Sequence, residues 1–225
     1  MAKIKSYVEP RRLYRYRSPE DLDREIGAIE EAYLYCAVYE DLNDPMEGLF
    51  ASSQLLRGSE KYHTVRSAIR DSKARIGICS FSEVYNQELM WDHYAKEFRG
   101  MCIAYNLPRL LERLDDDIHF VRVYYNERVP IVGKANKSPM EAARMVLSYK
   151  NYRWLYEREW RMFATQRKAF YRDTKCVSRV YLGSRMKPED REQITSRLKR
   201  LKIKTSDMFI KKYSITFEAK GGSWR

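Results

Sequence analysis

Residues 154–163 read WLYEREWRMF. Glu157, Arg158, Glu159 and Arg161 stand here among Trp154, Leu155, Tyr156, Trp160, Met162 and Phe163, side chains that ordinarily build a core. An unpaired buried charge is expensive. The stretch therefore either pairs its charges for structure or uses them for chemistry. As a strand, Glu157, Glu159 and Arg161 share one face, with Tyr156, Trp160 and Met162 on the other. The aromatic content favours a strand from Tyr156 onward. On a central strand the Glu–Glu–Arg row lines a polar cleft, where neighbouring carboxylates raise one another's pKa and the arginine offsets this. As a helix, Glu157 and Arg161 form an ordinary i, i+4 pair.

Outward from this stretch, strand and helix signals alternate. LYRYR (13–17) reads as a short strand. Ser18 and Pro19 then open a helix with acids in its first turn. AYLYCAV (32–38), RIGICSFS (75–82), GMCIAYN (100–106), FVRVYYN (120–126) and CVSRVYLGSRM (176–186) read as strands. DLNDPMEG (41–48) is turn-rich. Helices are expected over 59–73, 87–97, 139–153 and 188–201, with a short one in LPRLLERL. A closing strand is expected over 209–218, with a tail at 219–225. No repeat or linker interrupts the chain. The expected fold class is α+β: a single domain over 1–225, a mixed or antiparallel sheet with flanking helices.

Bulk properties set limits. A chain of 225 residues, 44% hydrophobic and 13% aromatic with 18 tyrosines, is long and apolar enough for a substantial core, which excludes global disorder. No apolar run is long enough to span a bilayer, and MAKIKSYVEPRR lacks an apolar signal core. A cytoplasmic location without a membrane partner is expected. Cys36, Cys79, Cys102 and Cys176 form no CxxC pair and read as reduced, buried thiols. His63, His93 and His119 show no metal-ligand spacing, so no metal is expected. The net charge is +12, with Lys and Arg concentrated in 57–75 and 191–212. Such a surface attracts polyanions, most often nucleic acid, or is simply soluble.

Several stretches carry chemistry-bearing side chains. In LYRYR, Arg15 and Arg17 share a strand face just before a helix start, as an anion site or as a solvated edge. ICSFS sets Ser80 and Ser82 on one face, where they bind substrate or cap a turn. LMWDHYA holds His93 between Asp92 and Tyr94, a group able to act as acid, base or structural donor. LNDPMEG offers Asn43, Asp44 and Glu47, with an Asx-turn as the plain reading.

The ordered set LYRYRS, LNDPMEG, GICSFSE, LMWDHYA with GMCIAY, YEREWR and VYLGSRM resembles the bacterial domain-of-unknown-function family 2971, met at times beside abortive phage-resistance genes. The likeness covers about residues 12–203. A second resemblance is to ADP-ribosyltransferases of the Arg–Ser–Glu type, which carry an arginine on the first strand, a Ser-x-Ser on a central strand and a later Glu-x-Glu. Arg15 or Arg17, Ser80-Phe81-Ser82 and Glu157-Arg158-Glu159 follow that order, with Phe81 where threonine is usual.

That resemblance implies a split sheet and NAD as substrate. Glu159 would stabilise an oxocarbenium-like ribose as nicotinamide leaves, and Glu157 would orient or deprotonate the acceptor. Arg15 or Arg17 would hold the pyrophosphate. Ser80, with Ser82 beside it, would hydrogen-bond ribose or position Glu159. His93, a further catalytic candidate, and Tyr94 would line the nicotinamide pocket, and Arg161 would join Arg15, Arg17, Ser80, Ser82 and Tyr94 in binding the cofactor. No glycine-rich dinucleotide fingerprint is present. The readings are an NAD-dependent transferase or glycohydrolase, a toxin or phage-defence effector with a protein or nucleic-acid acceptor; a nucleic-acid-binding or nuclease-like defence protein; and a non-catalytic binding module with a buried ionic network.

Overall fold

In the computed structural model the chain is described over residues 9–133 and 138–219. The α+β class is the one adopted, with mixed strand pairing and flanking helices. Contacts group into two compact units, residues 9–32, 82–113 and 171–219 in the first and 33–81, 114–133 and 138–170 in the second.

In the first unit the strands run in the order Ser214–Ala219, Lys204–Lys211, Val177–Leu182, Met101–Asn106, Arg12–Arg17. All pair antiparallel except Val177–Leu182 with Lys204–Lys211, which are parallel. A parallel pair needs a crossover, and the helix Pro188–Arg200 supplies it, opened by proline and acids and closed by bases. The register sets Leu13, Ile103 and Val180 on one sheet face. Arg17 on that face reaches Glu25 of the helix Leu22–Glu30. The opposite face gathers Tyr14, Tyr16 and Tyr181, with Tyr85, Trp91 and Phe217 packed against them; Tyr85 stacks on Tyr181 at 4.7 Å. Gly100 and Gly183 allow close backbone approach, since a Cβ there would lie 2.0 Å from the Arg17 carbonyl and 2.1 Å from that of Phe98.

In the second unit Gly77–Ser82, Glu159–Ala164 and His119–Arg122 lie side by side. The helices Tyr62–Arg75 and Pro139–Val146 close a core of Ile69, Ile78, Val132, Ala143, Val146, Leu147 and Phe163. A parallel pair, Tyr124–Asn126 with Tyr149–Asn151, sets Tyr125 opposite Lys150.

Four expected elements differ. The helix expected over 139–153 stops at Val146, and the chain continues as the strand Tyr149–Asn151. The strand expected from Tyr156 begins at Glu159; Tyr152–Glu157 form a 3-10 turn capped by the Asn151 side chain and ended by left-handed Arg158. FVRVYYN is interrupted at Val123, whose N–H donates to the Glu159 carbonyl facing it, and from Tyr124 the chain pairs with Tyr149–Asn151 instead. The closing strand of 209–218 is a hairpin, Lys204–Lys211 and Ser214–Ala219, turned at left-handed Lys212. Residues 220–225 of the expected tail fall outside the described residues. Cys36, Cys79, Cys102 and Cys176 are free and buried. No helix among the described residues is long and apolar enough to cross a membrane.

Candidate functional site: an ion network sealed in the second unit

The WLYEREWRMF stretch turns its charges inward. Left-handed Arg158 separates the 3-10 turn carrying Glu157 from the strand carrying Glu159 and Arg161. The backbone of Glu159 is held on both sides: its N–H donates to the Tyr125 hydroxyl at 2.7 Å and its carbonyl accepts from Val123 at 2.9 Å. The Tyr124–Asn126 and Tyr149–Asn151 pairing brings Lys150 to the same spot. Its Nζ donates to Glu157 Oε2 at 2.6 Å and Glu159 Oε2 at 3.2 Å, and lies 4.9 Å from the Trp154 ring centre.

A fourth segment completes the cluster. In LNDPMEG the Asp44 carboxylate accepts from the Met46 N–H at 2.9 Å, the Asx-turn expected there. Gly48 takes a left-handed φ of +70°, and the Lys73 ammonium donates to its carbonyl at 2.7 Å. The pinned loop sets Glu47 beneath Arg161. Arg161 donates from Nη1 and Nη2 to the two Glu47 oxygens at 2.8 and 2.6 Å, and from Nε to Glu159 Oε1 at 2.8 Å. Nη1 also reaches the Leu147 carbonyl at 2.5 Å. Glu47 lies 3.6 Å from Lys150 as well.

Three carboxylates therefore share two cations. Side-chain exposures are 3% for Lys150, Glu157 and Glu47, 5% for Glu159 and 1% for Arg161. Burial pushes the Glu159 carboxyl upward, but the Arg161 and Lys150 charges, with hydrogen bonds from Arg161 and Ser80, outweigh it and hold the group at about 2. Burial disfavours the charged form of Lys150, yet Glu159, Glu157 and Glu47 hold its proton above the ordinary lysine range. Every member of the cluster is paired and hydrogen-bonded, the condition under which buried charge is tolerated.

The residues singled out from sequence divide between the units. Ser80, Glu157, Glu159 and Arg161 come together in the second, with Ser80 hydrogen-bonded to Glu159. Arg15, Arg17, Ser82, His93 and Tyr94 belong to the first. There Arg17 pairs with Glu25, and Arg15 is buried within the electrostatic reach of Glu25 and Tyr171. Burial raises the Glu25 carboxyl, and Arg15 and Arg17 reverse this to hold it low. Ser82 accepts from the Val84 N–H at 3.1 Å. His93 is exposed at the end of the helix Glu88–Tyr94, 3.8 Å from Asp92, with the Tyr94 ring beside it. Among the described residues no group of three His, Cys, Asp or Glu is disposed to hold a metal.

Lys150 and Tyr125 were not singled out from sequence, and Glu47 was read only as part of a turn. The signal for Glu47 was the fixed geometry of DPMEG; Lys150 lay hidden in an expected helix.

Residues 90–162 match the model of a family described as "Protein of unknown function (DUF2971)". This stretch of the chain is similar to that family. The DUF2971 match takes in the helix Glu88–Tyr94 from Met90 onward, the strand Met101–Asn106, and Lys150, Glu157, Glu159 and Arg161. Glu47 and Ser80 lie before it. No curated protein and no solved structure matches the chain.

Proposed function

We propose that this chain is a non-catalytic nucleic-acid-binding module, whose Glu47–Lys150–Glu157–Glu159–Arg161 network is the ionic core of the second unit. The observation that carries this reading is the closure of the network. Both Glu159 oxygens are engaged by Arg161 and Lys150, with side-chain exposure of 5% or less throughout. A carboxylate meant to stabilise an oxocarbenium needs a face open to the sugar.

The binding surface follows from charge. On the helix Tyr62–Arg75, Arg66 and Arg70 stand one turn apart and exposed, and neither has a carboxylate partner among the described residues. Arg66 lies against the Phe50 and Tyr62 rings, which hold its guanidinium outward. In 191–212, by contrast, Arg191 pairs with Asp207 and Arg197 with Glu30 and Asp23, so part of that charge is spent internally. Titration of a fluorescent RNA or DNA oligonucleotide across salt concentrations tests the reading. Binding should weaken steeply with salt, and the Arg66→Gln/Arg70→Gln double variant should lower the log–log slope by roughly 2. No binding at low salt would overturn it.

A second reading has one specific observation in its favour. The Ser80 hydroxyl hydrogen-bonds the Glu159 carboxylate, the Ser–Glu pairing that NAD-cleaving chemistry of the Arg–Ser–Glu type would use. Nicotinamide release by the purified protein, with Glu159→Gln beside it, tests this reading.

A further inference from the structure

The second unit also holds a cavity of about 510 Å³ that the ion network does not use. It opens where the helix Tyr62–Arg75 ends, beside the helix Pro139–Val146 and the end of the strand Glu159–Ala164. Arg75, Arg144 and Arg167 line it, one from each of three chain segments, above a floor of Ile76, Phe163 and Met140. None of these arginines has a carboxylate partner among the described residues. Arg144 Nε is buried with no hydrogen-bond partner. A buried donor left unsatisfied costs about 1–3 kcal/mol, and such atoms are few in folded proteins. At the rim, Asp117 accepts from the Thr165 hydroxyl at 2.9 Å.

We infer that this cavity is a binding pocket for a phosphate monoester of nucleotide size. Guanidinium forks match phosphate oxygens two at a time. One arginine would satisfy a monocarboxylate; three unpaired ones around a single cavity suit a dianion. The volume lies in the range of small-ligand sites. The apolar floor takes the uncharged part of the ligand, so phosphate alone fills only the mouth.

The test is calorimetric titration of the whole chain with AMP, adenosine and inorganic phosphate. AMP should bind wild type, with adenosine and inorganic phosphate each at least tenfold weaker. Arg144→Gln should weaken AMP at least tenfold. Arg167→Gln, at an exposed position, should do likewise without disturbing the fold, and the thermal midpoints of the free variants check that. Equal binding of AMP and adenosine overturns the arginine assignment, and phosphate binding as tightly as AMP overturns the role of the floor. Absence of AMP binding at millimolar concentration overturns the pocket itself. The Arg66→Gln/Arg70→Gln variant leaves these arginines in place, so failure of the nucleic-acid reading is separable from failure of this one.

Discussion

Lys150 and Glu157 meet at 2.6 Å with both side chains sealed from solvent, seven residues apart in sequence but on a strand and a 3-10 turn. Removing one partner of a buried pair leaves an uncompensated charge and costs about 3–5 kcal/mol, whereas replacing both together costs far less. Lys150→Met should lower unfolding free energy by that amount. The Lys150→Met/Glu157→Gln double variant should recover part of the loss. Urea unfolding of the wild type, both single variants and the double variant measures the coupling.

Acid sensitivity follows from Glu159. Its carboxyl titrates lower in the folded chain, at about 2, than in the unfolded chain, where about 4.3 is usual. Its contribution is therefore present above the unfolded value and is lost as pH falls through the folded one. Lys150 has the opposite sign: its raised folded pKa gives a contribution fully present below the unfolded value and lost only at high pH. Wild-type stability should fall between about pH 4 and 2, and Glu159→Gln should show a shallower fall over the same window. Urea midpoints at pH 7, 4 and 2.5 compare the two.

Arg158 occupies the left-handed region at φ 46°, exposed, between the two inward-facing glutamates. A β-branched residue fits that conformation poorly and glycine fits it well. Arg158→Val should destabilise by about 1–2 kcal/mol, and Arg158→Gly should be neutral or mildly stabilising. Thermal unfolding of both separates backbone conformation from loss of the side chain, which the two substitutions share.

Ser80 links a neighbouring strand to Glu159 by one hydrogen bond. Removing it costs about 1 kcal/mol if the bond is structural. Ser80→Ala should lower the thermal midpoint by a few degrees and leave nucleic-acid affinity unchanged. A loss of binding without a loss of stability would move Ser80 from the core to a site.

The periodic parts of this fold were readable in the chain. The strand Val177–Leu182 followed by the proline-opened, base-closed helix Pro188–Arg200 stands where the pattern puts it. The inward turn of Glu157, Glu159 and Arg161 was legible too, because charge in aromatic surroundings must find partners. The partners themselves were not. Glu47 lies 114 residues from Arg161, and nothing local in either segment specifies their meeting. Lys150 followed a helical pattern whose last turns are overridden by pairing with Tyr124–Asn126. The terminal hairpin turns at Lys212-Tyr213, without the Gly, Asn or Pro that mark most tight turns, so it read as one strand.

The central claim is that the network is an ionic core and not a reactive centre. Nicotinamide release from NAD by wild type and by Glu159→Gln, with and without added nucleic acid, tests it most directly. The account predicts no release by either protein, alongside a lower unfolding midpoint for the variant. Release by the wild type that falls by orders of magnitude in a folded Glu159→Gln would contradict it.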